Sequence, residues 1–416
     1  MRTKAKNPEA FMLSTIIYRS HIAGHVPVKS LFDLAVKANK INESSSITGI
    51  LLFNGTHFFQ VLEGPEQAVK AIYSRICQDP RHHNLVELMR DYAPLRRFGN
   101  VGMELFDLRQ HDKETVLEAV LAKCTTKFQL TYADRGLQFL RTFVEAREKE
   151  NYFEIPDASS WTFIHDESAG RDGEAALLVS DEVSFAFQPI VDPFACEIVS
   201  LEALLRGPQG ELPLDYFSRL SRDEVYLTDI RSKKIAFAQA KQLGIEGLTL
   251  SINLLPMSLV EVPDAVPFLL NEIAAQGLVP EQIMVEFTEN EVISRLDEFE
   301  AAIKQLKAAG ISLALDDFGA GFAGLSLLTR IQPDKIKIDR NIISGVHKSG
   351  PKQAIIHAIL KCCSSLEISV IAEGIEQPEE WMWLEAAGVS QFQGFLFAKP
   401  KLNGIAPVAW PELSQS

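Results

Sequence analysis

The chain has 416 residues, long enough for two hydrophobic cores, and its 55 acidic against 41 basic side chains leave a formal net charge of −14. Such a balance provides no basic face to neutralise phosphates and excludes broad nucleic-acid binding, whether to DNA or RNA; no apolar run spans a bilayer and no signal-peptide pattern opens the chain, which predicts a cytoplasmic protein without a membrane partner. The five cysteines, Cys77, Cys124, Cys196, Cys362 and Cys363, are odd in number and lack metal or disulfide spacing, and adjacent Cys362 and Cys363 fit a buried helix better than a redox motif.

Residues 1–11 read as a disordered extension or cloning remnant. Strand-like LSTIIYRS (13–20) precedes a helix around 29–42, and ITGILLFNG and HFFQVLEGP then form a hairpin about Asn54-Gly55. A helix from about 65 to 77, a strand over VELMRDYAP and a last strand near 101–108 complete a β-α-β-β-α-β order. This order predicts a ferredoxin-like α+β sandwich with two helices on one face of the sheet. Within it Tyr18, Asn42, Gln60, Arg81, His82 and Met103 stand out. Singly each has an ordinary reading, since a tyrosine on an inner strand is usually core and a glutamine usually surface. Taken with FFQVLEGP, DPRHH and the Tyr18-to-Gln60 spacing, they make residues 12–104 resemble the BLUF family of flavin-binding blue-light sensors. The resemblance implies FAD between the two helices, with Asn42, Arg81 and His82 near the isoalloxazine or its ribityl chain. It also implies electron and proton transfer from Tyr18 to the excited flavin, then rearrangement of the Gln60 amide, whose donor and acceptor ends can swap. Met103 on the last strand is the implied relay. Many family members carry Trp two residues before this Met, where this chain has Val101.

Residues 105–175 carry helix-like stretches over Lys113–Lys123 and Gly136–Lys149, then the polar run HDESAGRDGE, whose stretch 165–174 reads as a flexible loop. These helices are expected to couple two domains; the alternative is a passive linker with solvated charges, because helical periodicity alone establishes only packing.

The C-terminal half holds eight strand-like runs: FAFQPIV (185–191), IVSLEALLRG (198–207), LTLSINLL (248–255), IMVEFTE (283–289), SLALDDFGAGF (312–322), KIKIDR (335–340), VIAEGIE (370–376) and VSQFQGFLF (389–397). Helical stretches separate most of them, as in RLDEFEAAIKQLKAAG, where Leu296, Phe299, Ile303 and Leu306 fall three and four apart and Gly310 supplies the stop. Alternating strand and helix predict a (β/α)8-type, TIM-like barrel. Strand parity sets Ser312, Ala314 and Asp316 against Leu313 and Leu315, Lys335, Lys337 and Asp339 against Ile336 and Ile338, Ser251 and Asn253 against Ile252 and Leu254, and Gln391 and Gln393 against Phe392. Charge on an inner barrel face must be offset by partners or a metal. Glu202, Asn253, Glu286, Asp316, Asp317 and Glu373 are all oxygen donors, with Lys337 the one cation among them and no His or Cys pair, which favours Mg²⁺ or Mn²⁺ over zinc. Asp316 is placed to bridge two ions and Asp317 to hold one. Any one of these acids alone would be an ordinary loop-end residue or helix N-cap.

These runs, read as QPIV, EALLRG, SINLLP, EFTE, DDFGAGF, KIKID, AEGIE and QGFLFAKP, make residues 176–405 resemble the EAL domains, phosphodiesterases that open cyclic di-GMP to a linear dinucleotide. The resemblance implies Glu202, Asn253, Glu286, Asp316, Asp317 and Glu373 as metal ligands, and Lys337 and Gln393 as holders of the attacking water. Glu289 would brace the loop after strand five, and Gln188 and Arg206 would contact substrate. That loop commonly reads TGYSSL in the family; here Ala320-Gly321-Phe322-Ala323-Gly324-Leu325 lacks its hydroxyls, and Phe322 and Leu325 are expected to pack in the core, the alternative being that they face a partner. Together the two resemblances imply a light-raised hydrolysis of cyclic di-GMP to pGpG by a homodimer. The other reading is a non-catalytic light-switched module that captures a protein partner such as a transcriptional regulator.

Overall fold

The computed structural model describes residues 13–27, 30–93, 96, 102–110, 113–122, 135–145, 155–173, 183–245, 247–288, 295–321 and 324–414. The extension expected over 1–11, Val101 and Cys124 lie outside the described residues. The chain forms two compact units, Met1–Ile155 with Gly345–Ala354, and Pro156–Ser344 with Ile355–Ser416. Among the described residues no helix is long and apolar enough to cross a membrane.

In the first unit β1 (Leu13–Ile22), α1 (Ser30–Ser44), β2 (Thr48–Phe53), β3 (His57–Pro65), α2 (Glu66–Cys77), β4 (His82–Ala93) and β5 (Gly102–Asp107) follow in order, then α3 (Lys113–Ala122) and α4 (Arg135–Glu145). The sheet order β4-β1-β3-β2-β5 is the ferredoxin-like four-strand order with β5 added parallel to β2 at the edge. The hairpin turns where expected: Asn54 Oδ1 accepts from the backbone N–H of Thr56 and His57 at 3.1 and 2.8 Å, and Gly55 takes a φ of 111° that a side chain would resist. Strand alternation sends Ile16, Tyr18 and Leu62 to one face, against Val69 and Ile72 of α2. Ile17, Phe59 and Val61 go to the other, where they meet Val116 and Val120 of α3 and Leu140 and Phe143 of α4. The helices read from sequence as a connector therefore cover the second face of this sheet, with the rings of Phe59 and Phe143 stacked at 5.1 Å.

The second unit opens with β6 (Trp161–Asp166) and β7 (Arg171–Asp172). Its barrel then runs β8 (Ser184–Asp192), β9 (Glu197–Arg206), α5 (Pro213–Phe217), α6 (Arg222–Gln242), β10 (Thr249–Asn253), α7 (Ser258–Glu261), α8 (Ala265–Ala275), β11 (Ile283–Thr288), α9 (Leu296–Ala308) and β12 (Ser312–Phe318). It continues with α10 (Gly324–Ile331), β13 (Lys335–Ile338), α11 (Arg340–Ile343), α12 (Gly350–Ser365), β14 (Ser369–Ala372), α13 (Pro378–Ala386) and β15 (Gln391–Phe392), and the chain ends on β16 (Lys401–Leu402), β17 (Gly404–Ile405) and β18 (Val408–Leu413). Strands β9 to β15 are parallel neighbours, and β8 closes the ring between β9 and β15, antiparallel to both. Strand–helix alternation thus holds from β9 onward and fails at the first strand. Only residues 193–196 join β8 to β9, which suffices for a hairpin and not for a crossover helix.

The outward residues Leu201, Leu250, Ile252, Val285 and Leu313 form one core with Phe237 of α6, Leu269 and Ile273 of α8, and Phe299, Ile303 and Leu306 of α9. Helix α9 buries the face its spacing predicted, and Gly310 follows it at φ 98°. Two expectations are corrected. The stretch 165–174 is not a free loop over its described residues, because β6 pairs antiparallel with β18 from Trp161↔Leu413 to Asp166↔Val408, and β7 pairs with β17. Leu325, expected in the core, is 69 % exposed, while Leu327 and Leu328 take the buried positions of α10.

Candidate active site and flavin cavity

Between α1, α2 and the sheet of the first unit lies a cavity of about 340 Å³, and Tyr18, Asn42, Gln60, Arg81, His82 and Met103 all line it. Its walls are apolar, including Leu31, Leu34, Ile41 and Ile72, with Lys37, Arg75 and Arg81 supplying cations. Tyr18 and Gln60 are directly opposed on β1 and β3. The Tyr18 hydroxyl donates to Gln60 Oε1, and Gln60 Nε2 donates to Met103 Sδ at 3.1 Å, so the three form one chain from the inner strand to β5. Burial raises the Tyr18 pKa, with smaller contributions from Cys77 and Asp79, and keeps the phenol protonated. Asn42 is 2 % exposed and its Nδ2 has no partner. A buried amide donor left open costs free energy unless a ligand carbonyl accepts from it, and a flat apolar slot with such a donor suits a flavin ring. Arg81 is held by Asp79, with Nε 2.8 Å from Asp79 Oδ1, and His82 Nδ1 meets Ser20 Oγ at 2.9 Å.

In the barrel, consecutive parallel strands deliver their carboxyl-terminal residues to one point. Lys337 on β13, fully buried, places Nζ 2.6 Å from Glu373 Oε1, 2.7 Å from Glu286 Oε2, 3.1 Å from Glu202 Oε2 and 3.4 Å from Asp316 Oδ1. Glu202 also accepts from Asn253 Nδ2 at 2.6 Å and from Gln393 Nε2 at 2.7 Å, and Gln393 Nε2 lies 3.2 Å from Gln188 Oε1. Two acidic groups have ligand oxygens within 4.8 Å of one another, Glu202, Glu286 and Asp316 in one, Asp316, Asp317 and Glu373 in the other, and they share Asp316. Strict alternation would turn Asp317 away from Asp316. The strand register breaks between Leu315 and Phe318, and Asp317 adopts φ 52°, which brings both carboxylates to the same side.

One ammonium cannot offset five carboxylates. Burial pushes Glu286 up to about 8, with Lys337 opposing, and burial with Asp316 and Asp339 pushes Asp317 up to about 6. Burial and then Asp316 raise Glu373 as well, whereas Glu202 is lowered, its desolvation outweighed by Lys337, Gln393 and Asn253 together. Glu286 Oε1 is buried without a hydrogen-bond partner. Excess negative charge, an open oxygen and an all-oxygen donor set fit hard divalent cations.

A cavity of about 240 Å³ opens above this cluster, lined by Gln188, Glu202, Asp316, Asp317, Glu373 and Gln393 among others. Arg206 is not among its lining residues; its Nη1 donates to the carbonyl of Leu205 at 2.8 Å. Glu289, Phe322 and Ala323 lie outside the described residues. Arg340, Glu376 and Phe395 also line the cavity, with Arg340 Nη2 2.8 Å from Glu376 Oε1, and carried no signal of their own in the sequence. Asp229 is a further residue with none: fully buried on α6, it bonds Lys233 Nζ at 2.6 Å and accepts from Leu255 N–H and Ser258 Oγ at 2.9 and 2.7 Å. It thereby fixes the loop that leaves Asn253.

An apolar cavity holding a Tyr–Gln–Met chain and a barrel with a shared-aspartate acidic centre stand in one polypeptide, and the chain belongs to the BLUF–EAL proteins. The EAL domain family matches residues 174–400, and the family described as sensors of blue light using FAD matches residues 13–104. The chain is 59 % identical over 401 residues, 96 % of its own length and all of the relative's, to the blue light- and temperature-regulated antirepressor BluF of Escherichia coli strain K12. The structure of Klebsiella pneumoniae BlrP1 with manganese and cyclic di-GMP at pH 6 superposes with a TM-score of 0.89 at 44 % identity, covering 97 % of this chain and all of that one. Cyclic di-GMP phosphodiesterase PdeR of E. coli K12 is 32 % identical over 247 residues, 56 % of this chain and 36 % of that protein.

Proposed function

We propose that this chain is a blue-light-regulated phosphodiesterase that hydrolyses cyclic di-GMP to linear pGpG, with FAD in the first unit and two Mg²⁺ or Mn²⁺ ions in the barrel. The observation that carries the reading is the pair of acidic groups sharing Asp316, with Lys337 and Gln393 beside them. Glu202, Asn253, Glu286 and Asp316 would hold one ion, and Asp316, Asp317 and Glu373 the other. Bound there, the ions supply charge stabilisation at the phosphodiester and acidify a water. Lys337 and Gln393 orient that water, and Gln188, held by its amide on the Ala398 carbonyl at 3.0 Å, faces the substrate side. Arg206 would reach a phosphate oxygen only by leaving its backbone carbonyls, and Glu289 would brace the loop after β12. In the first unit the flavin supplies light absorption and electron acceptance. Tyr18 would supply both the electron and its hydroxyl proton to the flavin, and the Gln60 amide would turn, exchanging the end it shows to Met103. Residues 12–104 then act as sensor, 105–175 as coupler and 176–405 as enzyme, in a cytoplasmic homodimer.

A second reading is favoured by one observation, that a relative alike over its full length is an antirepressor. In it the barrel captures a protein partner in the light and turns over nothing. Product formation from cyclic di-GMP by the flavin-loaded protein in Mg²⁺ or Mn²⁺, in darkness and under blue light, separates the two. Faster pGpG formation in light supports the enzyme; equal rates remove light control. No product in either state, with a partner retained only in light, replaces the first reading by the second.

A further inference from the structure

On the face of the first sheet opposite Tyr18 and Gln60, three histidines from adjacent strands converge. His21 on β1 is directly opposed to His57 on β3 and to His83 on β4, so one position on three neighbouring strands carries imidazole. His21 Nε2 and His57 Nε2 face one another at 2.7 Å. The His83 ring lies 5.4 Å from that of His21. His21 is buried, His57 half-buried and His83 exposed, so the cluster is anchored in the sheet and open to water on one side.

The second ring nitrogen of His57 is already oriented. Its Nδ1 lies 2.8 Å from Thr56 Oγ1, and Thr56 Oγ1 lies 3.3 Å from Asn54 Oδ1. If Thr56 donates to Asn54, His57 Nδ1–H donates to Thr56 and leaves the Nε2 lone pair pointing at the cluster, the arrangement that outer hydrogen bonds impose on metal-ligating histidines. Nitrogens on a tetrahedral zinc with Zn–N of about 2.0–2.1 Å stand about 3.3 Å apart, so a small rotation of the paired rings admits an ion. As the rings stand the three histidines do not bring three nitrogens within 4.8 Å of one another, so exposed His83 would have to close on the ion by a change of rotamer, with water in the remaining position.

We propose that His21, His57 and His83 form a binding site for a divalent transition ion of the zinc class, separate from the oxygen-lined centre of the barrel. An imidazole-only set selects zinc, nickel or copper and leaves magnesium to the carboxylates. Arg19, two residues back on the same strand face, opposes the ion's charge and makes the site exchangeable rather than a permanent structural one.

The test is a Zn²⁺ titration of the flavin-loaded full-length protein in excess Mg²⁺, read by competition with a chromogenic chelator, with His57→Ala and His83→Ala alongside. The parent should take up one equivalent of Zn²⁺ that His57→Ala loses and that His83→Ala binds at least tenfold more weakly, while Glu202→Gln keeps it. X-ray absorption at the zinc edge should show imidazole scattering. His83 is exposed, so its variant folds, and the flavin spectrum reports whether His57→Ala does. Uptake by His57→Ala and His83→Ala equal to the parent's, or an oxygen-only shell at the edge, overturns the site.

Discussion

Replacing Lys337 by Met removes the single cation from a cluster in which four carboxylates stand 2.6–3.4 Å from its Nζ. Breaking a buried ion pair at one partner costs about 3–5 kcal/mol, because the other charge stays buried. Here the carboxylates have an escape, which is to take up protons. Glu286 already has a folded pKa of about 8, above its ordinary 4.5, so its contribution is full below pH 4.5 and is lost as pH rises through about 8. Without Lys337, which lowers Glu286, Glu373 and Glu202 alike, the variant holds at least one more proton than the parent. Each extra proton costs about 1.4 kcal/mol per pH unit, so the variant's deficit should grow by about 4 kcal/mol between pH 5 and pH 8. Urea unfolding followed by far-UV circular dichroism, without divalent ions, measures the deficit, while flavin absorbance follows the first unit separately. Millimolar Mg²⁺ should shrink the pH dependence by replacing protons. A deficit that is the same at both pH values would refute the account of a proton-compensated acidic cluster.

Tyr18→Phe should keep flavin bound and lose the light-induced absorbance shift, since the hydroxyl that donates to Gln60 is gone; a difference spectrum taken under blue light checks this. Asn42→Ala should weaken flavin retention by about 1–2 kcal/mol, roughly tenfold, because its open Nδ2 loses the ring carbonyl; equilibrium dialysis of the apoprotein with FAD reads it. Gly394→Ala would put a Cβ 2.1 Å from the Ile375 carbonyl oxygen, backbone that cannot step aside, and should destabilise the barrel by about 1–3 kcal/mol while the flavin spectrum stays unchanged. Excess chelator should abolish pGpG formation by the parent and leave the light-induced absorbance shift intact, since among the described residues both acidic groups with ligand spacing lie in the barrel.

Much of the architecture could be read from periodicity, because α9 and the barrel strands bury the residues that spacing assigns to the core. The antiparallel β8 is legible in its connection alone, because the short link from Asp192 to Glu197 leaves no room for a crossover helix. The pairing of HDESAGRDGE could not be read locally, since its partners lie in β17 and β18, more than 200 residues downstream. Asp317 reaches the site through a register break and a left-handed residue, and parity rules assign such a side chain to the wrong face. Arg206, whose motif suggests a substrate contact, donates to a carbonyl of its own strand, a contact that strand spacing does not announce. Asp229 acts through a loop it touches only in the folded chain, so no spacing announces it.

The β6–β18 ribbon has a consequence for timing. Trp161 pairs with Leu413, so β6 waits for residues some 250 positions downstream to be made. On the ribosome the barrel strands are complete while β6 still shows an unpaired edge, and such edges recruit other strands. A nascent chain paused before residue 408 would hold a nearly finished barrel with its entry strand unfastened. The unit is latched only once residues 408–413 have been made, which makes the interval before them the one in which this unit most needs protection from aggregation.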